Sequence, residues 1–187
     1  DQDVETLDDL ALQRRGIGNH AESVLNELAA RWPTNVQVLT ALAQVKIGQK
    51  EWAAANEIAE AVRKIDGQSN VANQITAAVL GAQQKYGESV NVLQNVYDAN
   101  PQSPQSLYAL VRAYSQARQF DKAEALLAST LKANPNNADA YVLMGITQLS
   151  RNEAKQAVAN FKTAMEKQPK NPGGYNALAN YYISQKD

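Results

Sequence analysis

The sequence contains no cysteine and one histidine, His20. Disulfides and thiolate chemistry are therefore excluded. A zinc site, which takes three or four N, S or O ligands from the protein, has almost nothing to draw on. A serine–histidine pair would have to recruit His20, and no nucleophile elbow frames a serine. Charge is balanced as well as sparse: 18 Lys and Arg face 19 Asp and Glu, for a net charge of −1. That leaves little drive toward nucleic acid or anionic membrane, both of which recruit basic surface. No apolar run nears the roughly 20 residues that a bilayer span needs. From Asp1 onward there is neither a charged n-region nor an apolar h-region, so any signal peptide or lipid anchor is expected to lie elsewhere or to have been removed. No catalytic residue, metal ligand or cofactor is expected.

What is there is an ordinary folded composition, 44% apolar and 20% charged. Asparagine and glutamine supply 35 of the 187 residues. This neutral polar surface points to an extracytoplasmic bacterial protein, in the periplasm or at the outer membrane.

The six prolines are not scattered. Pro33, Pro101, Pro135 and Pro169 share a 34-residue step, and the gap in the series falls at Gly67, another helix stop. Aligning segments that begin at residues 2, 36, 70, 104, 138 and 172 brings the chain into register. The twentieth place holds Ala21, Ala55, Ser89, Ala123 and Ala157, all small. Leu25, Ala59, Leu93, Leu127 and Phe161 follow four places later, then Leu28, Val62, Val96, Thr130 and Ala164 three beyond. Steps of four and three put these on one helix face. Earlier in each unit, the fourth and seventh places carry Leu39 and Leu42, Leu107 and Leu110, Tyr141 and Met144, and Tyr175 and Leu178. The eighth is mostly small (Ala43, Ala77, Gly145, Ala179), as a close helix crossing requires. A polar break closed by Trp52, Tyr86 or Phe120 separates the halves. Each unit reads as helix, turn, helix and proline-marked turn, and one pair cannot bury its apolar stripe without stacking on the next.

These positions resemble the tetratricopeptide repeat, most fully in Tyr141, Gly145, Ala157, Phe161, Ala164 and Pro169. The resemblance implies an all-α, right-handed α-solenoid of antiparallel helix pairs, about five repeats plus one extra helix. Its units would be 2–35, 36–69, 70–103, 104–137 and 138–171, with a first helix at 172–187, forming one array within a longer repeat protein. It also implies a non-enzymatic scaffold that binds a protein or peptide in a groove lined by the first helices. The repeat style is similar to that of bacterial lipoproteins of exosortase (PEP-CTERM) and exopolysaccharide systems. Two alternatives stay open: a regulatory arm of a larger enzyme, and a module that self-associates end to end through Tyr175, Leu178 and Tyr182.

In such a groove the fifth and ninth places point outward from the first helices. They supply the candidate binding residues Gln44, Gln74, Tyr108, Arg112, Asn176 and Asn180. Tyr108 and Arg112, four apart on one face, are of types common in binding hot spots. The Lys and Asn pair by which chaperone-binding relatives grip a terminal carboxylate is missing. So is the fixed asparagine of the glycosyltransferase repeats. Gly16–Ala21, which spells G-x-G-x-x-A, follows a helix and not a strand, so it is read as a turn holding a solvated His20. Asp8 and Asp9 are read as a helix start. Trp32 is expected to staple its turn to the next pair or to mark a surface contact.

Overall fold

The computed structural model describes residues 20–67 and 70–185, which are helical throughout apart from short connections. In chain order the helices are α1 (20–31), α2 (Val36–Gly48), α3 (Trp52–Ile65), α4 (Asn70–Ala82) and α5 (Tyr86–Ala99). They continue with α6 (Pro104–Gln116), α7 (Phe120–Ala133), α8 (Ala138–Ser150), α9 (Ala154–Lys167) and α10 (Gly173–Ser184). Among the described residues there is no strand. The first-helix starts Val36, Asn70, Pro104 and Ala138 are spaced by the 34-residue step, and so are Trp52, Tyr86, Phe120 and Ala154. The architecture is an α-solenoid of helix pairs.

Two connections alternate, and each has a distinct local cause. Between pairs, Pro33, Pro101, Pro135 and Pro169 occupy the second position of a four-residue turn. In these turns the amides of Asn35, Ser103, Asn137 and Asn171 donate to the carbonyls of Trp32, Asn100, Asn134 and Gln168 at 3.0, 3.2, 3.1 and 2.9 Å. Proline's fixed φ suits that position, and its missing N–H ends the preceding helix. The turn's last residue then caps the following helix: Asn35, Ser103 and Asn137 accept amide hydrogens from the first turns of α2, α6 and α8.

Within pairs, each first helix closes with a six-to-one backbone bond. Glu51, Lys85, Gln119 and Glu153 amides donate to the carbonyls of Lys46, Leu80, Tyr114 and Gln148 at 2.8–2.9 Å. The residue before each donor (Lys50, Gln84, Arg118 or Asn152) has φ between 56 and 63°. This is the Schellman close, and here no glycine serves it.

The contacts divide the chain into two compact units, residues 1–92 and 93–187. In the first, α2 packs on α3, α3 on α4, and α2 lies beside α4. Its core joins Leu39, Ala43, Ala59, Val62, Ala72 and Ile75, with Ala29, Val36, Ile58 and Val71 partly buried against them. In the second, α6 to α10 pack each on the next, while α6 lies beside α8 and α8 beside α10. Phe161, Leu110 and Leu127 are its largest fully buried apolar side chains. Gly145 makes room for Phe161: a Cβ at Gly145 would overlap the phenyl ring and meet the Ala157 carbonyl oxygen at 3.0 Å. The residues read from the repeat as second-helix core are mostly buried, including Ala55, Ala59, Val62, Ala123, Leu127, Ala157 and Ala164, while Thr130 is half-buried.

Asp8, Asp9 and the first four residues of the Gly16–Ala21 stretch lie outside the described residues. His20 itself is exposed, as read, but helical and not in a turn. Trp32 stays 46% exposed, with the Arg31 guanidinium 5.0 Å from its ring centroid.

Candidate interaction surface

A first helix in this fold has one face against its own second helix and another against the neighbouring pair. The fifth and ninth places, one turn apart, are left over. The structure exposes most of them: Gln44 on α2, Tyr108 and Arg112 on α6, Asn176 and Asn180 on α10, whereas Gln74 on α4 is half-buried. Gln44 and Gln74 belong to the first unit, where α2 and α4 are neighbours. The other four belong to the second, on α6 and α10 either side of α8. Between them on α8 stand Val142, half-buried, and Ile146, 44% exposed. Ile146 occupies the ninth place but was not among the residues singled out from sequence. An isoleucine looks like core until its exposure is known.

The chemistry of this surface is recognition chemistry. In the second unit it offers a phenol ring, a guanidinium, a branched aliphatic side chain and two carboxamides, with Tyr108 52% exposed. Among the described residues the Arg112 side chain makes no ion pair or hydrogen bond, unlike Arg151, which holds Asp121 at 2.6 Å, Glu153 at 2.9 Å and Glu124 at 3.7 Å. Those partners, Asp121 foremost, raise the Arg151 pKa above its ordinary value.

The polar groups behind the surface are structural. Tyr114 is buried and donates its hydroxyl to the Gln94 side chain at 2.6 Å. Burial first, and the nearby Asp98 carboxylate second, push its pKa up, so the phenol stays protonated. In the first unit Lys46 binds Glu22 at 2.5 Å and Glu51 at 2.7 Å, which raises the lysine pKa. Hydrogen bonds from Lys46 and then Gln49 lower that of Glu22. Among the described residues no group of three His, Cys, Asp or Glu could hold a metal ion. Among the same residues, no helix is long and apolar enough to cross a membrane.

A second surface is open at α10, where Tyr175, Tyr182 and Ile183 are 45, 50 and 65% exposed. The Tyr182 ring centroid lies 5.3 Å from that of Tyr181. At the corresponding places in α6, Leu107 and Tyr114 are buried. α6 is followed by α7, which packs on it.

Comparison with known proteins agrees with this architecture. A tetratricopeptide repeat family model matches residues 81–149. Over 147 residues the chain is 29% identical to cellulose synthase operon protein C of Pseudomonas fluorescens, covering 74% of this chain but 12% of that protein's length. A tetratricopeptide repeat protein of Parabacteroides merdae superposes with a TM-score of 0.65 at 18% identity, over 92% of this chain and 68% of that one. A thermophilic protein of the same repeat type from Thermus thermophilus gives 0.65 at 17% identity, over 93 and 95%. The helix-pair geometry agrees with the repeat model over residues 81–149, and the two solved structures share the fold of this chain.

Proposed function

We infer that this chain is a protein-binding scaffold without catalytic turnover, holding an extended peptide or partner helix on the exposed face of its first helices. One observation carries the reading. Tyr108 and Arg112 on α6, Ile146 on α8 and Asn176 and Asn180 on α10 are exposed, while Leu107, Leu110, Leu143 and Gly145 of α6 and α8 are buried in packing. Tyr108, Arg112 and Ile146 give that face an aromatic, a cation and an aliphatic anchor. A surface built on packed helices is pre-formed, so little ordering cost opposes association. Asn176 and Asn180 add neutral hydrogen-bonding groups for a peptide backbone in the second unit, and Gln44 and Gln74 offer the same on the first unit's own helices. A setting in bacterial envelope or exopolysaccharide assembly, including the exosortase-associated lipoproteins, is the finer version of this reading. Similarity to a part of cellulose synthase operon protein C supports it.

Affinity capture tests the scaffold reading, with the native chain and the Tyr108→Ala/Arg112→Ala variant run side by side. The same partner should be retained by the native chain and depleted at least about tenfold by the variant, since hot-spot truncations cost more than about 1 kcal/mol each. Equal retention by both would remove these residues from the binding face.

The exposed α10 side chains favour a second reading, self-association through that end. Sedimentation would show a concentration-dependent dimer that the Tyr182→Glu variant abolishes. A monomer at every concentration rules it out.

A further inference from the structure

Arg112 is the one charged side chain at the fifth and ninth places of α2, α4, α6, α8 and α10. It is exposed, and no carboxylate among the described residues engages it, whereas Arg63 pairs with Glu60 and Arg151 with three acids. Tyr108 stands one turn before it on the same face of α6, and Ile146 occupies the matching place on α8. Asp139, at the start of α8, already accepts a hydrogen bond from the Asn171 side chain at 2.9 Å. The balance of charge runs the same way. Residues 93–187 carry ten Lys and Arg against seven Asp and Glu, whereas residues 1–92 carry eight against twelve.

We propose that the face formed by α6 and α8 selects extended peptide segments in which a carboxylate lies about three residues from an apolar side chain. This rests on the scaffold reading and names its partner class. α6 and α8 pack side by side, and helices in such contact lie about 8–10 Å apart. A peptide in the extended, left-handed polyproline II form advances about 3.1 Å per residue and turns once in three, so side chains three places apart share one face and lie about 9 Å apart. A carboxylate seated on Arg112 therefore brings the side chain three places along over Ile146, while Tyr108 flanks the acidic end. The guanidinium offers a forked pair of donors to the two carboxylate oxygens. The apolar groups beside it exclude part of the water that would screen the pair. Asn176 and Asn180 are left for the peptide backbone on the α10 side.

Three pools of fluorescein-labelled decapeptides test this by fluorescence anisotropy. All fix Leu at one place and randomise the rest over Ala, Ser, Gly and Asn; three places from the Leu they fix Glu, Gln or Lys. The Glu pool should bind roughly threefold to tenfold more tightly than the Gln pool, and the Lys pool more weakly than either, as for one charge-assisted contact on a partly exposed face. In Arg112→Gln the Glu and Gln pools should become equal. In Ile146→Ser every pool should weaken by the same factor while the Glu preference persists. Both residues are exposed, and unchanged far-UV circular dichroism will show that the variants fold. Equal binding of Glu and Gln pools by the native chain overturns the acidic preference but leaves the scaffold reading standing. Loss of the Glu preference in Ile146→Ser with retention in Arg112→Gln overturns the assignment to Arg112. Binding of no pool by the native chain counts against both.

Discussion

At the scale of single residues, the tightest constraint is the pair Gly145 and Phe161. The sequence made both legible, because the repeat places a small residue on the first helix and a larger one on the second. What it did not tell is that the two trade volume. Phe161 is fully buried, and its ring fills the space where a Gly145 side chain would begin. Gly145→Ala should therefore cost about 1–3 kcal/mol in urea unfolding, the usual range for overpacking. The cost should shrink when Phe161→Leu is added, because neighbours that share one space are not additive. Additive losses in the double variant, or no loss in the single one, would show that the crossing adjusts without strain. The binding face was less legible. Spacing puts Tyr108 and Arg112 outward on one helix, but it cannot say that Arg112 lacks an acid or that Ile146 stays in water. Both depend on what the neighbouring helices bring, which one helix's pattern does not contain.

At the scale of elements, the proline turns were readable and the turns within pairs were not. Proline has few places it can stand, so Pro33, Pro101, Pro135 and Pro169 mark the turns in advance. The Schellman closes usually announce themselves with glycine, and here Lys50, Gln84, Arg118 and Asn152 take the left-handed conformation instead. A lysine, glutamine or arginine carries no sequence signal for positive φ. His20 was misplaced for a related reason: the glycines before it suggest a turn, yet His20 is already helical. The left-handed conformation costs an ordinary side chain roughly 1–2 kcal/mol. Glycine avoids that strain but loses about 0.5–1 kcal/mol in chain entropy. Arg118 is exposed, and among the described residues no ion pair holds it. Arg118→Gly should therefore gain about 0.5–1 kcal/mol and raise the melting temperature by about 1–4 °C for a chain of this size. A drop in melting temperature would mean that the arginine stem contributes more to the turn than its backbone strain removes.

At the scale of the molecule, stability is built from neighbours. Each helix of the second unit touches the next helix in the chain, and some also touch the one after, but none touches a helix further along in that unit. In such a chain the free energy is close to a sum of pair and neighbour terms, and opening one place need not open the rest. This differs from a globular core, in which one cavity weakens every contact through a shared interior. Hydrogen exchange on Gly145→Ala separates the two descriptions. Overpacking between α8 and α9 should lower amide protection in those helices most, then in α7 and α10, which pack directly on them. The protection of α2 and α3 should hold at its native value, because the lost energy is local and the helix–helix contacts of α2 and α3 lie within the first unit. An equal fall in every helix would make the chain one cooperative block. A graded fall that stays within the second unit would let its first-helix face loosen or tighten around a peptide while the rest of the array keeps its packing.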